Sequence, residues 1–287
     1  MAIALLASAT AGCGGTSASN PPPAVAANAA ADDASAGLME HHRFHHHGGV
    51  TLFIAMSLDT LGVSPEQRAA VDKIRSDLHA RMEQARSAEQ NLDTALAEGL
   101  SAGNFDTTKV DAAAAQVAVA AAAVHDASAS ALNELHAVLT PPQRGALVDK
   151  VEAHWAVWQK ANADETGPAN PESHLAMLAT DLSLTTDQVD RIRAGLGEGM
   201  KAVPPLRAQE IATHLRAFGD AFRSEKFDAG ALTTAGGANA HLAGWGATHM
   251  AHFVETVSPV LTPDQRAELA QRLRQHAAHD PSAQGNP

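Results

Sequence analysis

The sequence predicts an all-α protein of two tandem helical domains, about four helices each. Three observations lead there. A helix-start motif occurs four times, as Val63-Ser64-Pro65-Glu66-Gln67, Leu139-Thr140-Pro141-Pro142-Gln143, Leu184-Thr185-Thr186-Asp187-Gln188 and Leu261-Thr262-Pro263-Asp264-Gln265. The copies keep register: Ser64 to Thr140 is 76 residues and Thr185 to Thr262 is 77, while Ser64 to Thr185 is 121 and Thr140 to Thr262 is 122. The composition is rich in Ala, holds 3% aromatics and lacks Tyr, which favours helix over sheet.

Each motif has a physical meaning. Ser64, Thr140, Thr185 and Thr262 stand at N-caps, where a side-chain oxygen accepts a free backbone N–H. Pro fits the first helical position, because its missing N–H would have had no partner. Gln67, Gln143, Gln188 and Gln265 fall at the third helical position and reach back to the cap, completing capping boxes. Glu66, Asp187 and Asp264 lie at the positive end of the helix dipole. Seven residues after each cap stands Val71, Leu147, Ile192 or Leu269, so all four helices carry an apolar residue at one point of the core face. Phe105-Asp106 with Phe227-Asp228, and His154 with His276, keep the same spacing, as a tandem duplication would.

Residues 1–13 form a signal or lipobox segment. The run from Met1 to Ala9 is too short to span a bilayer. Ala9-Thr10-Ala11 fits signal cleavage, whereas Ala11-Gly12-Cys13 fits the end of a lipobox with Thr10 in place of the usual Leu. The lipoprotein reading is favoured, because the chain's one cysteine, Cys13, closes the apolar run. No Lys or Arg precedes that run, so the true start is open. Residues 14–49 read as a flexible tether rich in small residues. It ends in His41, His42, His45, His46 and His47, a candidate site for zinc, copper or nickel. No other cofactor is required.

The first repeat is read as 50–160. A short apolar helix holds Leu52, Ile54, Leu58 and Leu61. The capped helix places Val71, Ile74, Leu78 and Met82 at three- and four-residue steps and extends to about Leu100. After the Gly103-Asn104-Phe105-Asp106 turn, Thr107 or Thr108 caps an Ala/Val helix, and the last helix carries Leu147, Val151, Trp155 and Trp158. Residues 161–171 read as a linker. The second repeat, 172–280, repeats the pattern: a leading helix, then Val189, Ile192, Leu196 and Met200, then a break at Pro204-Pro205. Ile211, Leu215, Phe218 and Phe222 line the next helix. Gly236-Gly237 and Gly244-Trp245-Gly246 weaken the helix after it, with no evident reason in the sequence. Residues 281–287 read as a disordered tail.

Taken together, the Leu-Thr-x-x-Gln motifs, the Pro204-Pro205-Leu206 break and the Phe227-Asp228 turn resemble the Spy/CpxP family of periplasmic proteins, twice over between Leu52 and His276. The second half fits better, since the first lacks the Pro-Pro break. The resemblance implies a curved, cradle-like helical fold, which one duplicated chain could form as a monomeric pseudo-dimer. It implies an ATP-independent chaperone or envelope-stress protein whose partners are unfolded or misfolded envelope proteins. It also implies the periplasm as location. The membrane would be met only through a lipid anchor.

The net charge of −12 speaks against nucleic acid and contrasts with the basic concave face usual in such chaperones. The chain has no His-Glu-x-x-His, Gly-x-Ser-x-Gly or phosphate-binding Gly loop, so no enzyme is expected. The pairs His249/His252 and His276/His279 have metal-ligand spacing but lack a third ligand. The alternative function is envelope metal binding through the His-rich segment.

Overall fold

A computed structural model describes residues 48–162, 171–199 and 203–278, and all of these lie in one compact unit spanning 38–287. Cys13, the tether with its His cluster, His279 and the tail lie outside the described residues.

Ten α-helices and no strands occur among the described residues. They are α1 (Gly49–Asp59), α2 (Pro65–Arg81), α3 (Glu83–Ala102), α4 (Thr107–Val138) and α5 (Pro141–Asn162) in the first half. The second half gives α6 (Pro171–Asp181), α7 (Thr186–Gly199), α8 (Ala208–Arg223), α9 (Ala235–Val257) and α10 (Pro263–Ala278). Element starts recur in register: Gly49 with Pro171, Pro65 with Thr186, and Pro141 with Pro263.

Each half has five helices rather than four. The long capped helix of the first half breaks at Met82, whose N–H is shared between Leu78 O at 3.2 Å and His79 O at 3.1 Å. In the second half the corresponding break is the Pro204-Pro205 stretch, as the sequence indicates. The cap of α4 is Asp106, not Thr107 or Thr108: its carboxylate accepts from Lys109 N at 3.1 Å.

Helix α1 is buried on nearly every side, because Val50, Leu52, Phe53, Ile54, Ala55 and Leu58 leave it no polar face. It packs on α9, α5, α2 and α4. Its N-terminus is capped from the other half. Asn239 of α9 accepts from Val50 N at 2.8 Å. Gly49 has φ +55, and a Cβ there would strike the Asn239 side chain, so this position takes glycine on two counts.

The centre of the body is α4 against α9. At 32 residues, α4 is about 48 Å long. Ala114, Val117, Ala121 and Val124 face inward, and their small size lets α9 approach closely. The glycines that weaken α9 as an isolated helix now have a reason. A Cβ on Gly236 would lie 3.2 Å from Ala122 O, and one on Gly244 would lie 2.9 Å from Ala118 Cβ. Close helix approach therefore outweighs helix propensity here.

The halves exchange partners. Helix α3 of the first packs on α10 of the second, and α5 of the first packs on α8 of the second. Arg223 on α8 pairs with Asp149 on α5 at 2.6 Å, and Arg274 on α10 donates to Ser101 Oγ on α3 at 2.8 Å. Trp155 and Trp158 of α5 stack with centroids 5.4 Å apart, and Trp245 of α9 meets Trp158 edge-on at 5.6 Å. The tandem register thus places matching helices in matching roles, while their packing surfaces cross from one half to the other.

Candidate functional site: the paired motif glutamines and the buried histidines

The capping boxes at Ser64, Thr185 and Thr262 are complete, and the one at Thr140 is formed from the glutamine's side alone. Ser64 N donates to Gln67 Oε1 at 3.0 Å, and Ser64 Oγ accepts from Gln67 N. Thr185 N and Thr262 N reach Gln188 Oε1 and Gln265 Oε1, each at 3.0 Å. At the remaining box Thr140 N donates to Gln143 Oε1 at 2.9 Å, and the Thr140 hydroxyl donates to the same oxygen.

A capping box uses only the glutamine oxygen. The amide nitrogens do something the sequence reading missed. Gln67 Nε2 donates to Gln143 Oε1, and Gln143 Nε2 donates to Gln67 Oε1, both at 2.9 Å. Each nitrogen also reaches the chain just before its partner's cap, at Val138 O (2.8 Å) and Gly62 O (3.1 Å). The second half repeats this: Gln188 Nε2 meets Gln265 Oε1 at 2.7 Å and Val260 O at 3.1 Å. Gln265 Nε2 meets Gln188 Oε1 at 3.3 Å and Leu182 O at 3.1 Å. Two helix starts that lie 76 or 77 residues apart are therefore clamped amide to amide. Only a primary amide offers two donors and an acceptor in this fork; a carboxylate would lose both donations. The signal was available in the sequence as two glutamines at the same point of two boxes. What it lacked was any reason to look beyond each helix.

Four histidines are among the other polar side chains of the interior, and no motif marks them in the sequence as buried. His125 Nε2 lies 2.8 Å from Ala229 O, and His136 Nε2 lies 2.9 Å from Ser224 O. His214, 2% exposed, has Nδ1 3.1 Å from Thr234 Oγ1 and faces His125 edge-on with centroids 6.1 Å apart. Burial, with the neighbouring His125 adding to it, pushes the His214 pKa down to about 4. His154 stacks on Phe53 at 6.3 Å, within the core.

On the α3–α10 seam, Asp93 is 1% exposed and sits 2.8 Å from His276 Nδ1, while its other oxygen has no partner. Burial raises the Asp93 pKa and His276 opposes that rise. Thus the His276 of the His276/His279 pair is engaged by a carboxylate. Of the other pair, His249 lies against Trp245 with centroids 3.9 Å apart and Nδ1 2.9 Å from Trp245 O; burial lowers its pKa. Among the described residues no group of three His, Cys, Asp or Glu could hold a metal ion.

The surface is polar. Val119, at 63% exposure, is the large apolar side chain that stands clear of the body among the described residues. A cleft between the starts of α8 and α9 is lined by Arg207, Gln209, Glu210, Thr213, Thr233, Thr234 and Gly237. His241 spans it to Glu210 at 2.8 Å.

Fold and motif together define an all-helical protein whose recurrent motif is a structural clamp. Residues 50–150 match the model of the LTXXQ motif family, whose motif is of the Spy/CpxP type. LTXXQ family proteins are periplasmic, and among the described residues no helix is long and apolar enough to cross a membrane. The match covers the Gln67–Gln143 clamp; the half the sequence made the better fit, with Gln188–Gln265, lies beyond it. Among curated proteins and among solved structures, nothing matches.

Replacing Gln67 with Ala leaves Val138 O and Ser64 N unpaired, so a loss of about 1–3 kcal/mol is expected in urea unfolding. Gln143→Ala should cost a similar amount, and the double variant clearly less than the sum, because each single change already breaks the clamp. Strict additivity would show that the two amides act independently.

His214 sets a pH dependence. Its folded pKa, about 4, lies below the ordinary histidine value of 6.5. The unfolded chain therefore takes up a proton that the folded chain refuses as pH falls from about 6.5 to about 4. Stability is lost across that window, by roughly 3 kcal/mol when complete. Asp93 and Glu255, with raised pKa values, act in the opposite direction. The difference between the parent protein and His214→Gln isolates the histidine: the variant should show the shallower loss of unfolding free energy between pH 6.5 and 4.5. Parallel curves would remove His214 as the cause.

Proposed function

We propose that this protein is an ATP-independent holdase of the periplasm that binds unfolded or misfolded envelope proteins and performs no catalysis. The observation that carries this reading is the LTXXQ match at 50–150, whose motif residues serve as caps and clamps. A clamp of neutral amides offers no nucleophile, acid or base for a reaction. With no phosphate-binding loop in the sequence, client capture must run on binding alone. Half-buried Trp245, Met250 and Phe253 on α9 supply aromatic and thioether surface of the adaptable kind that varied clients need. One chain, with halves that exchange helices, does the work of a dimer.

Cys13 would carry a lipid anchor, with the residues before the His cluster as tether. Fractionation tests it: Cys13→Ala should leave the membrane fraction, and a variant that stays bound as before rules the anchor out.

The second reading is metal buffering by His41, His42, His45, His46 and His47, favoured by five imidazoles within seven residues. It takes zinc, copper or nickel, weakening as the imidazoles protonate near pH 6. One deletion separates the readings. Removal of 38–47, stopping short of Gly49 because that residue seats α1 on Asn239, should leave suppression of client aggregation intact. It should abolish the pH-dependent metal uptake seen by calorimetry between pH 7.5 and 5.5. If the full-length protein, without ATP, fails to slow aggregation of several unrelated clients at equimolar ratio, the holdase reading falls.

A further inference from the structure

Helix α9 carries a face that its partner α4 does without. Trp245, His249, His252 and Phe253 follow one another at three- and four-residue steps, so they share one side of the helix. All four are half-buried, and Glu255 flanks them. The 122-residue register sets Ala123, Ala127, Ser130 and Ala131 of α4 at the equivalent points, with Asn133 in place of the carboxylate. The central packing is therefore made on one helix with small side chains and on the other with rings and an acid.

The polar groups of this face are left over. His249 lies against the Trp245 ring, with centroids 3.9 Å apart and Nδ1 2.9 Å from Trp245 O. Glu255 Oε1 is closed off from water and has no hydrogen-bond partner among the described residues, an arrangement that calls for a missing partner. Asp111 of α4 acts on Glu255 through space and forms no ion pair or hydrogen bond among the described residues. Burial raises the Glu255 pKa, His252 lowers it, and Asp111 raises it again. Burial lowers the His249 pKa, so that imidazole brings no charge at neutral pH. The nearby cations are taken. Lys109, two residues before Asp111, pairs with Glu98. On α7, which packs on α9, Arg193 pairs with Asp190 at 2.8 Å and Arg191 faces Asp187 at 3.9 Å. Two carboxylates thus stand without a cation at the end of a strip of half-covered rings.

We propose that this side of α9, together with Asp111, is a docking face for a basic, apolar stretch of unfolded polypeptide. A Lys or Arg head group meets Glu255 and Asp111, and the apolar side chains beside it lie along Phe253, His249 and Trp245. That a client fills this face rests on the holdase reading. Charge selects the occupant: the chain carries −12 overall, and an acidic stretch would bring like charges together. The length fits as well, since ten residues of helix from Trp245 to Glu255 span about 15 Å, the reach of roughly five residues of extended chain. A cation that reaches Glu255 meets a carboxylate already drawn partly out of water, where the attraction is stronger than at an exposed acid. The Trp245 ring accepts either an apolar side chain or a second cation on its face.

The test uses two short fluorescent peptides with the same apolar residues, one bearing Lys and Arg and the other Glu in their place. Each is titrated into the full-length protein and followed by anisotropy. The basic peptide should bind about tenfold tighter or better, and added salt should erode that lead. Glu255→Gln with Asp111→Asn should weaken the basic peptide by about tenfold. Asp126→Asn with Glu134→Gln removes the same charge from exposed positions farther along α4 and should leave the affinity unchanged. A photoreactive group on the basic peptide gives a reading that needs no variant: the label should fall on residues 245–256. No binding of the basic peptide, equal binding of both peptides, label away from α9, or an equal loss in the two paired variants overturns the proposal. Aggregation assays separate it from the holdase reading. Capture of the basic peptide at α9 without protection of any client sinks the holdase reading and leaves the docking face in place. Full protection of basic clients by the Glu255→Gln, Asp111→Asn variant sinks the docking face alone.

Discussion

The amide–amide clamp is the constraint on which the rest of the body depends. A capping box ends a helix; it does not say where that helix goes. When the same glutamine also donates across to a second box, two helix starts become one rigid corner. In the first half that corner joins α2 to α5, and in the second it joins α7 to α10. Each corner satisfies backbone groups that would otherwise be orphaned: a cap N–H on one side and a carbonyl before the cap on the other. It does so without charge, so no change of pH or salt loosens it. Gln188, only 8% exposed, shows how far water is excluded from the second corner.

Small side chains set the other half of the design. Two clamped corners could have been held apart as separate bodies. Instead, Ala-rich α4 and Gly-bearing α9 come within contact distance of each other's backbones. That close seam draws α3 toward α10 and α8 toward α5, so each half completes the packing of the other. The same crowding explains why the core holds histidines at all. An imidazole is large enough to fill the gaps that alanine leaves, and it offers a nitrogen to the carbonyls of irregular chain such as Ser224 and Ala229.

Helix type, helix starts and the repeat register were legible because each rests on local chemistry: a cap, a proline, an acidic first turn, an apolar residue at fixed distance. The Pro204-Pro205 break was legible for the same reason. Asp106 displaced Thr107 as a cap because both types cap well and only the backbone decides between them. The clamp was half legible, through its oxygen, and hidden in its nitrogen. The exchange of helices between halves left no mark, since side-by-side and interlocked halves share one register. The buried histidines were illegible, because His125, His136 and His214 stand alone in stretches whose pattern is set by alanine and leucine. The N-terminal histidines and Cys13 drew notice by clustering and by scarcity, and they lie outside the described residues.

The cap that Asn239 places on Val50 bears on how this chain is made. Those residues are 189 positions apart. As the chain leaves the ribosome, the first helix of the body emerges early and must wait for α9 before its N-terminus is closed. Local helices and the Gln67–Gln143 corner are available sooner, since they need only 76 residues between partners. Folding is therefore staged, with corners first and the central seam last, and the long-range closure sets the pace. A fragment ending near residue 150 keeps the family motif yet leaves α1 without its cap and α3 without α10. The matched segment is a motif-bearing half whose packing is completed by the rest of the chain.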